Sequence, residues 1–272
     1  MNTTHSSKLI AACLATIGLF AFITSAQAAS IAFDAANDSE YDDGWQTGDN
    51  GGSGFGPWEL TINPSNPSTG GHFIGDSANN GGAPSGHINT AGESFGLYAN
   101  SGAISFTTRS FDGGPLAAGQ TFSIDMDNGF IQDGGNVAFG LADDEFSASL
   151  TFGFLGGDTF YKVFDSAGTT STTVPFTDDG LSIDITLGAA NTYTLSVNNV
   201  IAATGTLDFP DPQYFILENF TAGSGGSNDA YFNSFAVTGT PIPEPGALAL
   251  TGLAALGLVG VARRVSKSVL VT

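Results

Sequence analysis

Two aspartates at alternate positions are the side chains of this 272-residue sequence whose spacing best suits catalysis. Asp125 and Asp127 lie in Ser123-Ile124-Asp125-Met126-Asp127, where polar and apolar residues alternate as in a β-strand. Both carboxyl groups would then share one strand face, about 6.6 Å apart along the chain. Two facing carboxyls roughly 5 to 5.5 Å apart can cleave a glycosidic bond, one as nucleophile and one as acid. Alternatively, both are polar residues on the outer face of a half-buried strand.

This segment resembles the alternating-acid motif of laminarinase-like jelly-roll glycosidases, and the resemblance implies a glycoside hydrolase acting on matrix polysaccharide. Ser123 replaces the first acid of that motif, and both remaining acids are the shorter Asp. No Gly-x-Ser-x-Gly sequence occurs, and the single cysteine, Cys13, lies in a segment that we expect to be removed. We therefore favour the outer-face interpretation and expect no enzymatic activity.

Metal-binding patterns are weak in this sequence. His72 and His87 flank a Gly-rich loop without a third ligand at a recognisable spacing, so we expect no catalytic metal. Ca²⁺ prefers carboxylate and amide oxygens. Two acidic groupings offer them: Asp143-Asp144-Glu145, and Asp125 with Asp127 and Asn128. In the second grouping Gly129 falls where an EF-hand loop has an oxygen ligand, so we expect no cofactor, with calcium the one cation that these residues suit.

Aromatic residues beside acids or amides are candidates for glycan binding. A ring face stacks on the apolar side of a sugar, while carboxylates and amides bond its hydroxyls. Three residues meet this description: Trp45 near Asp42 and Asp43, Trp58 near Glu59, and Tyr98 near Asn100. Each could equally be a core residue.

The charge of the chain is strongly one-sided. Between Ala29 and Ile242 there are 25 acidic residues and two basic ones, Arg109 and Lys162, which gives a formal charge of −23. Such a surface repels nucleic acid and anionic lipid, so we expect no nucleic-acid partner. It favours solubility and hydration, and it could attract divalent cations.

The first 28 residues have the order of a secretory signal peptide. Lys8 precedes the apolar stretch Leu9 to Ile23, and Ala26-Gln27-Ala28 predicts cleavage before Ala29. Cys13 also ends a lipoprotein-like box, but that box comes before most of the apolar stretch. Signal cleavage leaves no cysteine, so the fold must rest on a hydrophobic core without disulfides.

The C-terminal end combines a proline motif, an apolar run and a basic pair. Pro243-Glu244-Pro245 precedes the uncharged residues Gly246 to Ala262, and Arg263 and Arg264 follow. The run would make a helix of about 25 Å against a hydrocarbon core of about 30 Å, which is a short transmembrane helix. The two arginines favour a cytoplasmic end, so the body would lie outside.

These three parts resemble the PEP-CTERM sorting signal of diderm bacteria. The resemblance implies recognition by an exosortase-like membrane protease or transpeptidase, transient anchoring in the inner membrane, and a place at the cell surface or in an exopolysaccharide or biofilm matrix. The tail Val265 to Thr272 is longer than this pattern requires. The alternative is a protein that stays anchored in the membrane through its C-terminal helix.

The body from 29 to 239 has the patterning of an all-β domain. The opening, Ala29 to Gly56, has the composition of a loop, and His72-Phe73-Ile74 is a weakly marked strand in a stretch rich in Gly, Asn and Pro. Clear alternation predicts strands at Trp58–Ile62, Phe95–Tyr98, Ile104–Arg109, Thr121–Asp127, Val137–Leu141, Phe146–Phe154, Leu181–Leu187, Tyr193–Val197, Tyr214–Phe220 and Tyr231–Val237. Asn198-Asn199 predicts a two-residue hairpin. About a dozen such strands without amphipathic helices predict an antiparallel β-sandwich or jelly roll.

The hairpin Tyr193 to Leu207, the strand Tyr231 to Val237 and the acidic opening together resemble concanavalin A-like lectin sandwiches. The segments Gly75-Asp76-Ser77, Ile88 to Gly92 and Phe95 to Tyr98 resemble sandwich domains that often precede PEP-CTERM tails. We therefore expect three parts: a signal peptide at 1–28, a β-sandwich at 29–239 and a sorting signal at 240–272. The expected function is an exported surface or matrix protein whose body is structural or associates with glycans such as exopolysaccharide.

Overall fold

The structure is a computed structural model that describes residues 29–62, 69–81, 87–100, 102–144 and 147–239. Within these ranges the chain forms fifteen strands and four single-turn 3₁₀ helices. The strands are β1 (Ala29–Asp34), β2 (Glu59–Ile62), β3 (Gly70–Gly75), β4 (Ser94–Ala99), β5 (Ile104–Ser110), β6 (Thr121–Asn128), β7 (Asn136–Ala142), β8 (Ala148–Leu155), β9 (Phe160–Asp165), β10 (Gly168–Pro175), β11 (Leu181–Leu187), β12 (Thr192–Val197), β13 (Val200–Thr206), β14 (Tyr214–Phe220) and β15 (Ala230–Gly239). The 3₁₀ helices are Ser39–Tyr41, Ser77–Asn80, Ala189–Asn191 and Gly226–Asn228.

The strands form two sheets, and every strand pair in the described part of the chain is antiparallel. The eight-stranded sheet has the order β13-β12-β11-β6-β15-β4-β3, and β1 also pairs with β15. The seven-stranded sheet has the order β10-β9-β8-β7-β14-β5-β2. This arrangement confirms the prediction of an all-β antiparallel sandwich.

The core between the sheets is rich in phenylalanine. Phe215 of the seven-stranded sheet stacks on Phe235 of the eight-stranded sheet, with ring centroids 5.0 Å apart. On β6 the inward residues are Phe122, Ile124 and Met126, as the alternation predicted. Burying one such side chain contributes about 1.5–3 kcal/mol, so this apolar layer supplies the stability that disulfides would supply in a smaller exported domain.

The opening of the body differs from its prediction as a loop. Residues Ala29–Asp34 form β1, which pairs with the second half of β15. Ile31 and Phe33 on this strand are 43% and 57% exposed, whereas Asp34 points inward and is buried. In β1 the small Ala32 and the polar Asp34 face inward while the large apolar residues face outward, so the alternation could not be recognised from the sequence.

The charge of the inward Asp34 carboxylate is compensated by a buried ion pair with Arg109 of β5. The Tyr41 hydroxyl also donates to Asp34 Oδ2 at 2.5 Å and accepts from Trp58 Nε1 at 3.1 Å. Arg109 donates further to the carbonyl oxygens of Gly56 at 2.6 Å and Gly51 at 2.8 Å. Burial raises the pKa of Asp34, and the charge of Arg109 opposes that rise. The cluster fastens the irregular segment between β1 and β2 to the sandwich.

Several predicted features lie outside the described residues. They are the signal peptide with Ala26 and Ala28, and the sorting motif with Pro243, Glu244, Pro245, Arg263 and Arg264. Ala29, the predicted first residue after cleavage, is the first residue of β1. In the ranges that the structure describes, no helix has the length and apolar character needed to cross a membrane.

Candidate functional site

A depression of about 510 Å³ opens on the outer face of the seven-stranded sheet. Its lining residues come from β7, β8 and β14 and the loops at their ends: Gly134, Gly135, Asn136, Leu155, Gly156, Asp158, Glu218 and Phe220. In the strand register Asn136 stands between Leu155 of β8 and Phe220 of β14. The three strands therefore bring together residues that are distant in sequence, in a volume typical of sites for small ligands.

Strand alternation determines which side chains face this depression. On β14, Phe215 and Leu217 point into the core, so Glu218 and Phe220 point outward. On β7, Val137 points into the core, so Asn136 points outward. Gly156, which lines the depression, allows two backbone segments to approach closely, because a Cβ there would lie 1.8 Å from the carbonyl oxygen of Gln132.

Glu218 and Asn136 form the polar centre of the site. Asn136 Nδ2 donates a hydrogen bond to Glu218 Oε1 at 2.8 Å. Burial raises the pKa of the Glu218 carboxyl, and this hydrogen bond opposes the rise. The carbonyl oxygen Oδ1 of Asn136 is buried and has no hydrogen-bond partner within the described parts of the chain. An unpaired buried acceptor costs about 1–3 kcal/mol of stability.

The rim of the depression is aromatic on one side and charged on the other. The Phe220 ring is 41% exposed. Asp158 carries an ion pair with Lys162 at 2.7 Å. Asp158 also lines a neighbouring depression of about 220 Å³ whose other walls include Phe130 and Phe176. Together these groups can hold a ligand that has both apolar faces and several hydroxyl groups.

The aromatic residues predicted from the sequence lie elsewhere. Trp45 is 5% exposed and Trp58 is fully buried, and the two rings make an edge contact at 5.0 Å inside the core. Both tryptophans are therefore core residues, the alternative that the sequence left open for each, because the segment fastened by Asp34 and Arg109 turns both rings inward. Tyr98 is half-buried on the outer face of the eight-stranded sheet, away from the depression.

Asp125 and Asp127 both point outward from the eight-stranded sheet, since Ile124 and Met126 between and beside them face the core. Asp125 is hydrogen-bonded to Ser182 and Ser234, and burial raises its pKa. Asp127 is buried and accepts from Asn80 Nδ2 at 2.5 Å, and burial raises its pKa to about 6.

The calcium grouping of Asp125, Asp127 and Asn128 does not converge on one point. Asn128 faces the core, where its Oδ1 accepts from the Tyr161 hydroxyl at 2.7 Å, on the side of the sheet opposite to Asp127. Asp144 caps its own loop by accepting from the Ser147 backbone N–H at 2.8 Å, and Glu145 lies outside the described residues. No group of three or more His, Cys, Asp or Glu side chains in the described ranges is arranged to hold a metal ion.

The two histidines also have no metal-binding arrangement there. His72 Nε2 is 3.2 Å from the carbonyl oxygen of Phe106, and its ring makes an edge contact with Trp45. Burial lowers the pKa of His72 to about 4, so the ring is neutral at physiological pH. His72 is thus a packed residue of the sandwich.

Sequence reasoning missed Glu218 and Asn136. The available signal was small: Glu218 is the one charged residue in the apolar strand Tyr214–Phe220. Its pairing with Asn136 depends on the β7–β14 register, which joins positions 82 residues apart. That register could not be predicted from the local pattern.

No family model matches this chain, and no curated protein matches it. Among solved structures, the globular domain of T. cruzi calreticulin aligns with 86% of this chain and 100% of its own length, with 12% identity and a TM-score of 0.51. A carbohydrate esterase of the Shiga toxin-encoding bacteriophage phi24B aligns with 79% of this chain and 100% of its own length, with 11% identity and a TM-score of 0.47. A sialidase aligns with 60% of this chain and only 17% of its own length, with 11% identity and a TM-score of 0.43.

Of these three structures, the calreticulin domain has a TM-score above 0.5. Its likeness agrees with the two-sheet antiparallel β-sandwich that the strand pairing of the described body shows. At these identities the likeness concerns the fold, so a function has to be argued from the residues of this chain.

Proposed function

We propose that this protein is an exported, carbohydrate-associating component of a surface or exopolysaccharide matrix, and that it binds glycan without catalysis. The observation that carries the proposal is the Asn136–Glu218 pair in the depression on the seven-stranded sheet, with the exposed Phe220 ring at its rim. A sugar ring needs an apolar surface for its C–H face and acceptors for its hydroxyls. Phe220 offers the first, and the Glu218 carboxyl, which Asn136 orients, offers the second.

The charge of the body narrows the class of glycan. With 25 acidic and two basic residues between Ala29 and Ile242, the protein repels polyanions such as uronate-rich chains. A neutral polysaccharide avoids this repulsion and can still donate hydroxyl hydrogen bonds to Glu218. The proposed ligand is therefore a neutral exopolysaccharide.

The binding site is tested by electrophoresis of the body, 29–239, through gels that contain the neutral exopolysaccharide of the producing organism. We expect retardation that weakens in Glu218→Gln, Asn136→Ala and Phe220→Ala. Phe209→Ala is the matched control, because Phe209 is 39% exposed but does not line the depression. Unchanged retardation of all three site variants would rule out this site.

The proposal keeps the sorting signal as its second part: an exosortase-like enzyme recognises Pro243-Glu244-Pro245 and removes Arg263 and Arg264. Mass spectrometry of the surface-localised protein tests it. We expect a product that begins at Ala29 and ends before Arg263. A surface product that still contains Arg263-Arg264 would instead support a permanent membrane anchor.

Binding without catalysis is also testable. The purified body should release no reducing sugar from the exopolysaccharide that it binds. Release that Asp125→Asn abolishes would replace the proposal with a glycoside hydrolase, the alternative that Asp125 and Asp127 raise.

A further inference from the structure

Three aromatic rings cluster on the outer face of the eight-stranded sheet, on the side of the sandwich opposite to the depression. Phe73 of β3 lies between Tyr98 of β4 and Tyr231 of β15. The ring centroids of Phe73 and Tyr98 are 6.2 Å apart with planes tilted by 48°, and those of Phe73 and Tyr231 are 5.7 Å apart in an edge contact. Tyr231 is buried, whereas Phe73 and Tyr98 are half-buried.

Each half-buried ring covers a glycine of the neighbouring strand. A Cβ on Gly96 would lie 2.4, 2.6 and 2.7 Å from three adjacent atoms of the Phe73 ring, Cζ, Cε2 and Cε1. Such similar distances mean that the ring covers Gly96 face-on. A Cβ on Gly71 would lie 2.5 Å from Cε1 and 2.8 Å from Cζ and Oη of Tyr98. The Phe73 ring therefore rests one face on the backbone, and the Tyr98 ring lies obliquely over Gly71.

The strand register produces this arrangement. Gly96 pairs with Phe73 and Gly71 pairs with Tyr98 between β3 and β4, so each ring leans across onto its cross-strand glycine. Aromatic residues stabilise cross-strand glycines in this way, which alone would explain one such pair. Two adjacent pairs have a further effect, because they leave two outward ring faces side by side.

Hydrogen-bond acceptors lie next to the rings. Asp127 pairs with Tyr231 across β6 and β15. It is 1% exposed and hydrogen-bonded to Asn80 and Ser77, so it contributes acidic character and no direct ligand contact. Asp76 and Asp229 also act electrostatically on Tyr231, so the surroundings of the cluster are acidic. An apolar ring surface with carboxylates near it meets the same two requirements of a sugar as the depression does.

We propose that Phe73 and Tyr98 form a second carbohydrate-binding platform that takes a single soluble chain of a neutral polysaccharide. The class of ligand rests on the proposed function, but the residues belong to the other sheet. Because the two ring planes are tilted by 48°, a flat crystalline surface cannot lie on both rings, whereas a chain that twists from one sugar to the next can. Two sites on opposite faces allow one molecule to bridge two polysaccharide chains.

The glycines permit a test that removes no aromatic side chain. Gly96→Ala and Gly71→Ala should displace the Phe73 and Tyr98 rings, since each new Cβ would overlap a ring. Gly113→Ala is the matched control, because a Cβ there meets nothing within 4 Å. Tyr98→Phe keeps the ring face and should bind normally, whereas Phe73→Ala and Tyr98→Ala should bind less well. Circular dichroism melts identify any variant that has lost its fold, and the remaining variants carry the test.

The probes are the exopolysaccharide of the producing organism, a soluble β-glucan, a soluble galactomannan and crystalline cellulose. We expect at least one soluble probe to bind, with affinity about threefold to tenfold lower in the platform variants, as the loss of one aromatic contact implies. Unchanged binding in folded platform variants would overturn the proposal, as would preferential binding to crystalline cellulose.

Measuring binding in variants of each site distinguishes the platform from the depression. Loss of binding only in Glu218→Gln would overturn the platform and leave the proposed function intact. Loss only in the platform variants would overturn the depression as the site and support the platform. Loss of binding in both sets of variants would support two sites. Bridging would be supported if the wild-type protein also turns a polysaccharide solution turbid on mixing and a variant of either site does not. Failure of the wild-type protein to bind any soluble probe would refute both proposals.

Discussion

Replacing Arg109 by methionine should destabilise the body far more than the same replacement of Lys162. These are the two basic residues between Ala29 and Ile242, so each is the natural control for the other. Arg109 is 1% exposed and its pair with Asp34 is buried on both sides. The Lys162–Asp158 pair is partly exposed, with side-chain exposures of 20% and 35%. When one partner is removed, a buried pair leaves an uncompensated charge inside the protein, whereas an exposed pair leaves a charge in contact with water.

The size of the destabilisation follows from the contacts that Arg109 makes. Arg109→Met leaves Asp34 buried without its counter-charge and removes the donors that serve the carbonyl oxygens of Gly51 and Gly56. It also removes the guanidinium 4.8 Å from the centre of the Trp58 ring. Breaking a buried pair in this way costs about 3–5 kcal/mol, a large part of the 5–15 kcal/mol typical of a domain. Lys162→Met should cost about 0–1 kcal/mol.

Urea unfolding followed by tryptophan fluorescence is a suitable assay, because Trp45 and Trp58 are the two tryptophans and both lie near the cluster. Arg109 lowers the pKa of Asp34, so its removal should raise that pKa further above the unfolded value. The folded variant then binds a proton more tightly than the unfolded chain, and its stability should fall as the pH rises from about 4 toward neutrality. Adding Asp34→Asn should recover part of the loss. Equal losses for the two Met variants, with no pH dependence, would refute this reasoning.

Three further outcomes follow from the structure. Burial raises the pKa of Asp229 to about 7, so this group stabilises the fold at low pH, and its contribution is lost as the pH rises toward 7. Asp229→Asn should therefore flatten the decline of the urea midpoint with pH. Replacement of the exposed Asp112 in Asp112→Asn should leave that decline unchanged. Phe215→Ala should cost about 3–5 kcal/mol by calorimetry, because the ring is fully buried between the sheets, and a loss below about 1 kcal/mol would contradict that placement. Asn199→Val should cost about 1–2 kcal/mol, since φ is 64° at this hairpin position, whereas Asn199→Gly should not destabilise.

Much of the sandwich was predictable because its central strands alternate cleanly. Tyr214–Phe220 and Leu181–Leu187 agree with their predicted bounds, and Asn198 and Asn199 adopt the positive φ values that the hairpin prediction required. In Leu181–Leu187 one face meets the core and the other meets solvent, so burial leaves its period of two in the sequence. β1 departs from that pattern because its inward residues are the small Ala32 and the paired Asp34.

The site depended on contacts that no local pattern contains. Trp45 and Trp58 were candidates because of their acidic neighbours in sequence, but the Asp34–Arg109 pair, 75 residues apart, directs that segment into the core. Asn136 contacts Glu218, and Phe73 contacts Gly96, because the strand register places them side by side. A one-residue shift in register would turn each of these side chains to the other face of its sheet.

The sequence by itself determined the class of fold, the acidic charge of the body and the absence of disulfides, because each follows from composition and local periodicity. The tertiary structure decided which polar and aromatic side chains share a surface. Those neighbours are set by long-range strand pairing, whose hydrogen bonds are the same for every residue type and so leave little record in the local sequence.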